Sequence, residues 1–325
     1  MPQPALASPD ITVIITTRNR AAYLPDVLAR LMAQETQDPF TREVLIVDNG
    51  STDDTRRVVQ EQQRALPLSI RYTYEARVGR PYALNRGLAE AAAPILAFTD
   101  DDTLPTPTWL HALWACLREE RADAVTGKVL PHWMAPRPPW LTDEGLRAIG
   151  RLGCLDHGPH RRRTSARQDC RWFTSNLALR RESVRSLGGW DERLPYYQDT
   201  EYYHRAVRAG LNIVYEPAAV VYHKIGPERL TLGYFRQRRR LGAAYRARQM
   251  GWRQEHLLTL VPLAWYGRVW RSALGWASCA LRGAPWWQRF QHELSLREAV
   301  GTWCYRLRRW PRWCLSALTG RPFAP

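Results

Sequence analysis

Short β-branched runs alternate with helix-spaced stretches over the first two thirds of the chain. Ile11-Thr12-Val13-Ile14-Ile15-Thr16 predicts a strand bounded by polar residues. Leu24, Val27, Leu28, Leu31 and Met32 fall on one face and predict a helix over Tyr23–Gln34. Val44–Val47 and Ser69–Tyr74 predict two more strands, with a polar helix, Thr55–Arg64, between them. A helix at Tyr82–Ala92, a strand at Ile95–Phe98, a helix near Thr108–Glu120 and a strand at Ala124–Val129 follow. This alternation predicts an α/β domain with a mostly parallel sheet and flanking helices. Pro131–Arg167 is rich in Pro, Arg, Gly and Trp, has no sustained period, and reads as a long loop region that orders over a substrate. Regular structure resumes with a strand at Trp172–Leu179 and a helix at Asp199–Ala209, which Gly210 stops. Two short strands, Ile213–Tyr215 and Val220–Tyr222, end the domain at His223.

Charge divides the 325 residues in two. The net charge is +16, of which the stretch Arg229–Pro325 carries +15, from eighteen Arg and three Glu with no Lys. Nine of the fifteen Trp lie there as well. The chain therefore reads as a nearly neutral domain, 1–228, and a basic, Trp-rich helical region, 229–325. Along Leu257–Leu281 and the next residue, Arg268, Arg271 and Arg282 fall within about 60° of one another on a helix, with apolar residues and Trp around the rest. That pattern suits an interfacial helix on an anionic membrane surface, and equally a helical subdomain that packs its apolar side on the core. Arg mixed with aromatics also suits single-stranded nucleic acid, but no nucleic-acid fold accompanies it and nucleic acid is not an expected partner.

The six Cys show no C-x-x-C spacing, so neither a zinc site nor a disulfide framework is expected, and reduced thiols fit a cytoplasmic setting. No basic, apolar leader opens the sequence, and no uncharged apolar run approaches the roughly 20 residues that span a bilayer. The expected location is cytoplasmic, with peripheral attachment to the inner face of the membrane.

The chemistry concentrates at predicted strand ends. Ile95–Phe98 runs into Thr99-Asp100-Asp101-Asp102, and three adjacent carboxylates repel unless a cation sits among them. Mg²⁺ or Mn²⁺ takes oxygen ligands of this kind. Asp48 ends another predicted strand and Asp199 opens a helix. Parallel strands deliver such residues to one sheet edge, where open α/β folds bind ligands. Thr17-Arg18-Asn19-Arg20 stands where a dinucleotide fold would carry G-x-G-x-x-G, and there is no P-loop.

Seven segments in order make the chain resemble the family-2 glycosyltransferases with the Rossmann-like GT-A fold. They are Ile14–Arg20, Val47–Asp53, Gly79–Asn85, Phe98–Asp102, Gly188–Leu194, Gln198–Glu201 and Val221–His223. The resemblance implies an inverting, metal-dependent transfer of a sugar from a nucleotide-diphosphate donor to a hydroxyl acceptor, a glycan or a lipid-linked sugar. It implies that Thr17, Arg18 and Asp48 line the base and ribose pocket and that Arg80 holds the diphosphate or base. Asp100 and Asp102 match the ends of the D-x-D motif, Asp100 on ribose or metal and Asp102 on the metal. Asp101 is expected to be structural. His223 stands where relatives supply a third metal ligand, and Asp199 stands at the general base. Trp190 and Asn176 are expected to border the acceptor and sugar pockets. Each position also has a plainer reading: Asp48 as a turn former, Asp199 as a helix cap, Arg80 as a surface residue, His223 as a hydrogen-bonded side chain and Trp190 as core. Gln198 departs from the family's Glu. That departure keeps open a donor-binding protein without turnover, and a sugar nucleotidyltransferase is the other alternative.

Overall fold

The computed structural model describes residues 8–35, 40–149, 152–164, 170–249 and 263–319. In chain order the elements are β1 (Ile11–Thr17), α1 (Leu24–Met32), β2 (Arg42–Asp48), α2 (Thr55–Ala65), β3 (Ile70–Tyr74), α3 (Arg80–Glu90), β4 (Ile95–Asp100) and β5 (Thr103–Pro105). Then come α4 (Trp109–Glu119), β6 (Ala124–Trp133), α5 (Asp143–Ile149), β7 (Arg162–Arg163), β8 (Asn176–Arg180), α6 (Arg181–Leu187) and α7 (Gln198–Arg208). The last are β9 (Ile213–Ile225), α8 (Leu232–Gln249), α9 (Leu263–Leu281) and α10 (Trp286–Thr319). They form two compact units, Met1–His132 with Gly153–Lys224, and Trp133–Leu152 with Ile225–Pro325.

The first unit is built on one sheet of order β3-β2-β1-β4-β8-β6-β9-β5, with β7 paired to β9. β3, β2, β1 and β4 are parallel, and β8 joins β4 antiparallel. Alternate residues of each strand serve the two faces. Val13, Ile15, Val44 and Ile46 pack with Leu24, Leu28, Trp109 and Leu113 on one side. Ile14, Leu45, Val47 and Phe98 pack with Leu84, Trp190 and Tyr202 on the other. Each fully buried Leu, Ile or Val contributes about 1.5–3 kcal/mol, so two covered faces fix the register firmly. That register sets Thr17 opposite Asp48 and Thr16 opposite Asp100, which brings three strand ends level.

Several elements differ from the sequence expectation. The last two predicted strands are one, β9, with Pro217 inside it; Glu216 Oε1 accepts the Ala218 N–H at 2.9 Å, so a side chain replaces a ladder bond beside the proline. The predicted loop region contains α5, where Thr142 Oγ1 accepts the Gly145 N–H at 3.0 Å and so caps the first turn. Trp172, expected in a strand, precedes β8 and is buried against Tyr202 and Tyr203.

The second unit is helical. α10 packs on α8, α9 and α5. Phe235, Phe290, Leu294, Ile149 and Leu141 are buried in it. Trp140 meets Phe235 and Trp286 edge-on at 6.2 and 5.2 Å. Arg236–Glu293 (2.9 Å) and Arg239–Glu298 (3.2 Å) tie α8 to α10. Residues 257–262, part of the expected amphipathic stretch, lie outside the described residues. Among the described residues no helix is long and apolar enough to cross a membrane.

Candidate active site

The edge formed by the ends of β1, β2 and β4 is lined by short polar loops that hold one another. Asn19, in the left-handed region with φ 52°, accepts the Thr52 N–H at 2.7 Å and donates its own N–H to Ser51 Oγ at 2.9 Å. Asn49 Oδ1 accepts the Gly79 N–H at 2.8 Å and its amide donates to the Arg77 carbonyl at 2.7 Å. Asn85 on α3 clasps the backbone of Trp190, accepting its N–H at 2.8 Å and donating to its carbonyl at 2.9 Å. Conserving shape is therefore the visible work of the Asn and Gly positions in the quoted segments.

Asp48, at the end of β2, is buried. Its Oδ1 accepts the Ser51 N–H at 2.8 Å, as its turn sequence suggests, and its Oδ2 accepts the Tyr72 hydroxyl at 2.8 Å. Burial, together with that carboxylate, pushes the Tyr72 hydroxyl well above its ordinary pKa, so it stays a donor.

Two arginines meet the acidic run from different sides. Arg20 Nη1 bridges Asp101 Oδ1 and Asp102 Oδ2, each at 2.8 Å, and Thr17 Oγ1 donates to Asp101 Oδ2 at 2.8 Å. Burial raises Asp101, against the pull of Arg20, to about 6. Arg80, at the start of α3, donates from Nη2 to Asp100 Oδ1 and, at 2.7 Å, to Thr174 Oγ1. Thr174 in turn holds Asp199, donating its N–H to Oδ2 and its hydroxyl to the carboxylate, all at 3.2 Å. Burial raises the Asp199 pKa, with the Arg80 charge and the Thr174 N–H opposing it. Tyr197, left-handed at φ 63°, turns the chain into α7 immediately ahead of Gln198 and Asp199. Among the described residues the Arg80 Nε–H is buried without a hydrogen-bond acceptor.

His223 faces this cluster from β9. Its Nε2 lies 3.4 Å from Asp102 Oδ2, and β5 pairs Thr103 with His223 in register. Gly153, at φ +80°, backs the imidazole so closely that an added Cβ would come within 2.9 Å of the ring.

The predicted residues Thr17, Asp48, Arg80, Asp100, Asp102, Asp199 and His223 thus come to one region of the first unit, while Arg18 is exposed. Trp190 and Asn176, expected to border the acceptor and sugar pockets, are both buried. Trp190 stacks on Tyr202 at 4.3 Å, and Asn176 is fully buried, accepting from Trp109 Nε1 at 2.9 Å and donating to the Lys128 and Ala219 carbonyls. Arg20 and Thr174 went unrecognised in the sequence because their partners lie 25 to 94 positions away.

Among the described residues no group of three or more His, Cys, Asp and Glu side chains is arranged to hold a metal. Asp102 and His223 offer one buried oxygen and one nitrogen side by side. That set fits a divalent ion which keeps most of its sphere for substrate phosphates and water.

This architecture, with an acidic edge at the ends of parallel strands, is the GT-A fold. A mannosyltransferase from Pyrobaculum calidifontis, solved in complex with GDP-Man and Mn²⁺, superimposes with a TM-score of 0.59 at 20% identity, covering 91% of this chain and 88% of that one. Residues 12–184 match the sequence profile of Glycosyl transferase family 2, and the chain belongs to that family. An uncharacterised glycosyltransferase of Mycobacterium tuberculosis is 30% identical over 220 residues, 64% of this chain and 84% of the relative. Validoxylamine A glucosyltransferase of Streptomyces hygroscopicus subsp. limoneus is 37% identical over 118 residues, covering 35% of this chain and 25% of that protein. The chain spans only 12–31% of the length of the relatives matched over such shorter stretches.

Proposed function

We propose that the chain is an inverting glycosyltransferase that moves a sugar from a nucleotide-diphosphate donor to a hydroxyl acceptor in one displacement. The observation that carries this reading is the convergence of Asp48, Asp100, Asp102 and Asp199 at one sheet edge, with Arg80 paired to Asp100 and linked to Asp199 through Thr174. Asp48 accepts hydrogen bonds from a base N–H or ribose hydroxyls, and Thr17 and Arg18 line the same end. The buried Arg80 Nε–H supplies a donor for a phosphate oxygen. Asp199 takes the acceptor hydroxyl proton as that oxygen attacks the anomeric carbon; the carbon–phosphate-oxygen bond breaks and the nucleoside diphosphate leaves with the electron pair. Asp102 and His223 are the residues that would hold Mg²⁺ or Mn²⁺, with Asp100 on ribose or metal. Such an ion offsets charge on the leaving diphosphate. Support for a metal and a nucleotide sugar also comes from the Pyrobaculum enzyme, whose structure contains both.

Calorimetry with UDP and GDP in Mn²⁺ and in EDTA tests the site. Tighter binding in Mn²⁺, lost in Asp102→Asn, is expected; equal affinity in EDTA removes the metal. Transfer or donor hydrolysis above background separates an enzyme from a donor-binding protein.

The second unit supports peripheral attachment to an anionic membrane surface. Tyr266, Trp270, Leu274 and Leu281 of α9 are exposed, Trp270 at 64% and Leu281 at 90%. At 100° per residue they fall within about 80° of arc, an apolar stripe among arginines. Sedimentation with phosphatidylserine vesicles at low and high salt tests this, and no binding at low salt defeats it.

A further inference from the structure

A polar pocket of about 330 Å³ lies among α8, α9 and α10 of the second unit. It has no part in the transfer chemistry above. Arg239, Arg268, Arg271, Ser272, His292 and Ser295 line it, together with Glu298. Its only described carboxylate is already engaged: Glu298 Oε2 accepts from Arg239 Nη1 at 3.2 Å, while Arg239 Nη2 reaches the Ile149 carbonyl at 3.4 Å. Among the described residues Arg268 and Arg271 have no ion-pair partner. Three guanidiniums therefore share one small concavity with a single carboxylate, an arrangement that repels itself until an anion enters.

The walls suit a phosphate. Guanidinium forks match phosphate oxygens two at a time, and Ser272, which is buried, and Ser295 add hydroxyls. Gly275 sits against the His292 ring so tightly that a Cβ there would come within 2.3 Å of it, so α9 meets α10 with no side chain between and the imidazole is held at the pocket wall. The apolar stripe runs along the same helix: Trp270 immediately precedes Arg271, and Leu274 lies one turn beyond. A ligand that presents phosphate to the pocket and hydrocarbon to the stripe satisfies both.

We propose that this pocket seats the phosphate-monoester head group of a membrane lipid while the α9 stripe enters the interface. The proposal rests on the peripheral-membrane reading and adds a head-group preference to it. Full-length protein is sedimented with phosphatidylcholine vesicles doped with phosphatidic acid or with phosphatidylserine at matched surface charge, without nucleotide or metal. Binding to phosphatidic acid is expected to be roughly tenfold tighter, as a few engaged charges would produce. The double variant Arg268→Gln/Arg271→Gln should lose that preference and keep a residual, equal attachment to both vesicles. Arg238→Gln/Arg240→Gln removes the same charge at exposed positions off the pocket and should keep the preference. Unchanged thermal unfolding of both variants excludes misfolding as the cause. Equal binding to the two vesicles at matched charge, or a preference that survives Arg268→Gln/Arg271→Gln, overturns the pocket. Stabilisation by inorganic phosphate without any vesicle preference makes it a soluble-phosphate site and overturns the lipid assignment. Failure to bind either vesicle instead defeats the membrane reading itself and leaves the transferase reading untouched.

Discussion

Arginine is used in opposite ways in the two units. In the first, the arginines that meet the acidic edge are spent on carboxylates: Arg20 on Asp101 and Asp102, Arg80 on Asp100 beside Asp199. In the second, the stretch 229–325 sets eighteen arginines against three glutamates, so after Glu293 and Glu298 are taken most have no acid within that stretch to answer them. Neutralised charge can be buried and held at fixed geometry, which is what a reacting site needs. Surplus charge must stay near water and acts at a surface, where screening weakens it.

The sharpest way to break that contrast is to remove a carboxylate from the neutralised edge. Asp199→Asn should lower turnover by about 10² to 10⁴, the usual reach of a general base, while donor affinity changes only a few-fold. Single-turnover transfer alongside donor titration reads both, and near-normal turnover would place the base elsewhere. Because burial raises Asp199, wild-type turnover should fall on the acid side starting above the ordinary carboxylate range.

Removing the counter-cation comes next in size. Arg20→Met leaves Asp101 and Asp102 adjacent without their shared guanidinium. Breaking a fully buried pair costs about 3–5 kcal/mol; with Arg20 38% exposed, water screens part of this and about 1–3 kcal/mol is expected in urea unfolding. A loss no larger than that of an exposed pair would mean the edge does not depend on neutralisation.

A smaller, directional effect comes from Asp101. Its folded pKa of about 6 exceeds the unfolded 3.8, so the folded chain binds the proton more tightly. The contribution of this one carboxyl to stability is then greatest below about pH 4, declines as pH rises toward 6 and levels off above it. Thermal unfolding from pH 4 to 7 without divalent ions should show this decline, and Asp101→Asn should flatten it.

The smallest folding effect belongs to the surplus side. Trp270→Ser, at an exposed position, should shift the melting temperature by less than the experimental spread, since surface changes usually stay within about 0.5 kcal/mol, yet weaken vesicle binding. A large drop in stability would reveal Trp270 as a packing residue.

The parallel half of the sheet was legible because its signals are local. A β-branched run followed by Asp48-Asn49-Gly50 or Asp100-Asp101 announces both a strand and what stands at its end. The placing of acidic residues at the sheet edge was legible for the same reason. What was not legible depends on distant partners. Nothing near Arg20 announces a bridge across 81 residues, and Thr174 has no local mark as the support of Asp199. Asn176 reads as a sugar-binding amide until its partners, Trp109 and two backbone carbonyls, are placed around it. α5 was hidden by the Pro- and Arg-rich sequence around it; the Thr142 cap and the burial of Ile149 explain why seven residues hold a helix.

The hydrogen that serves as the side chain of Gly153 has an evolutionary consequence. Any other residue there must press on the His223 imidazole, and the imidazole stands against Asp102. Positions 153 and 223 are therefore coupled: a methyl at 153 meets both the left-handed backbone and the imidazole, and a smaller residue at 223 relieves only the second of these. The glycine at 153 is thus held by two independent demands, and the loss of His223 alone would not release it.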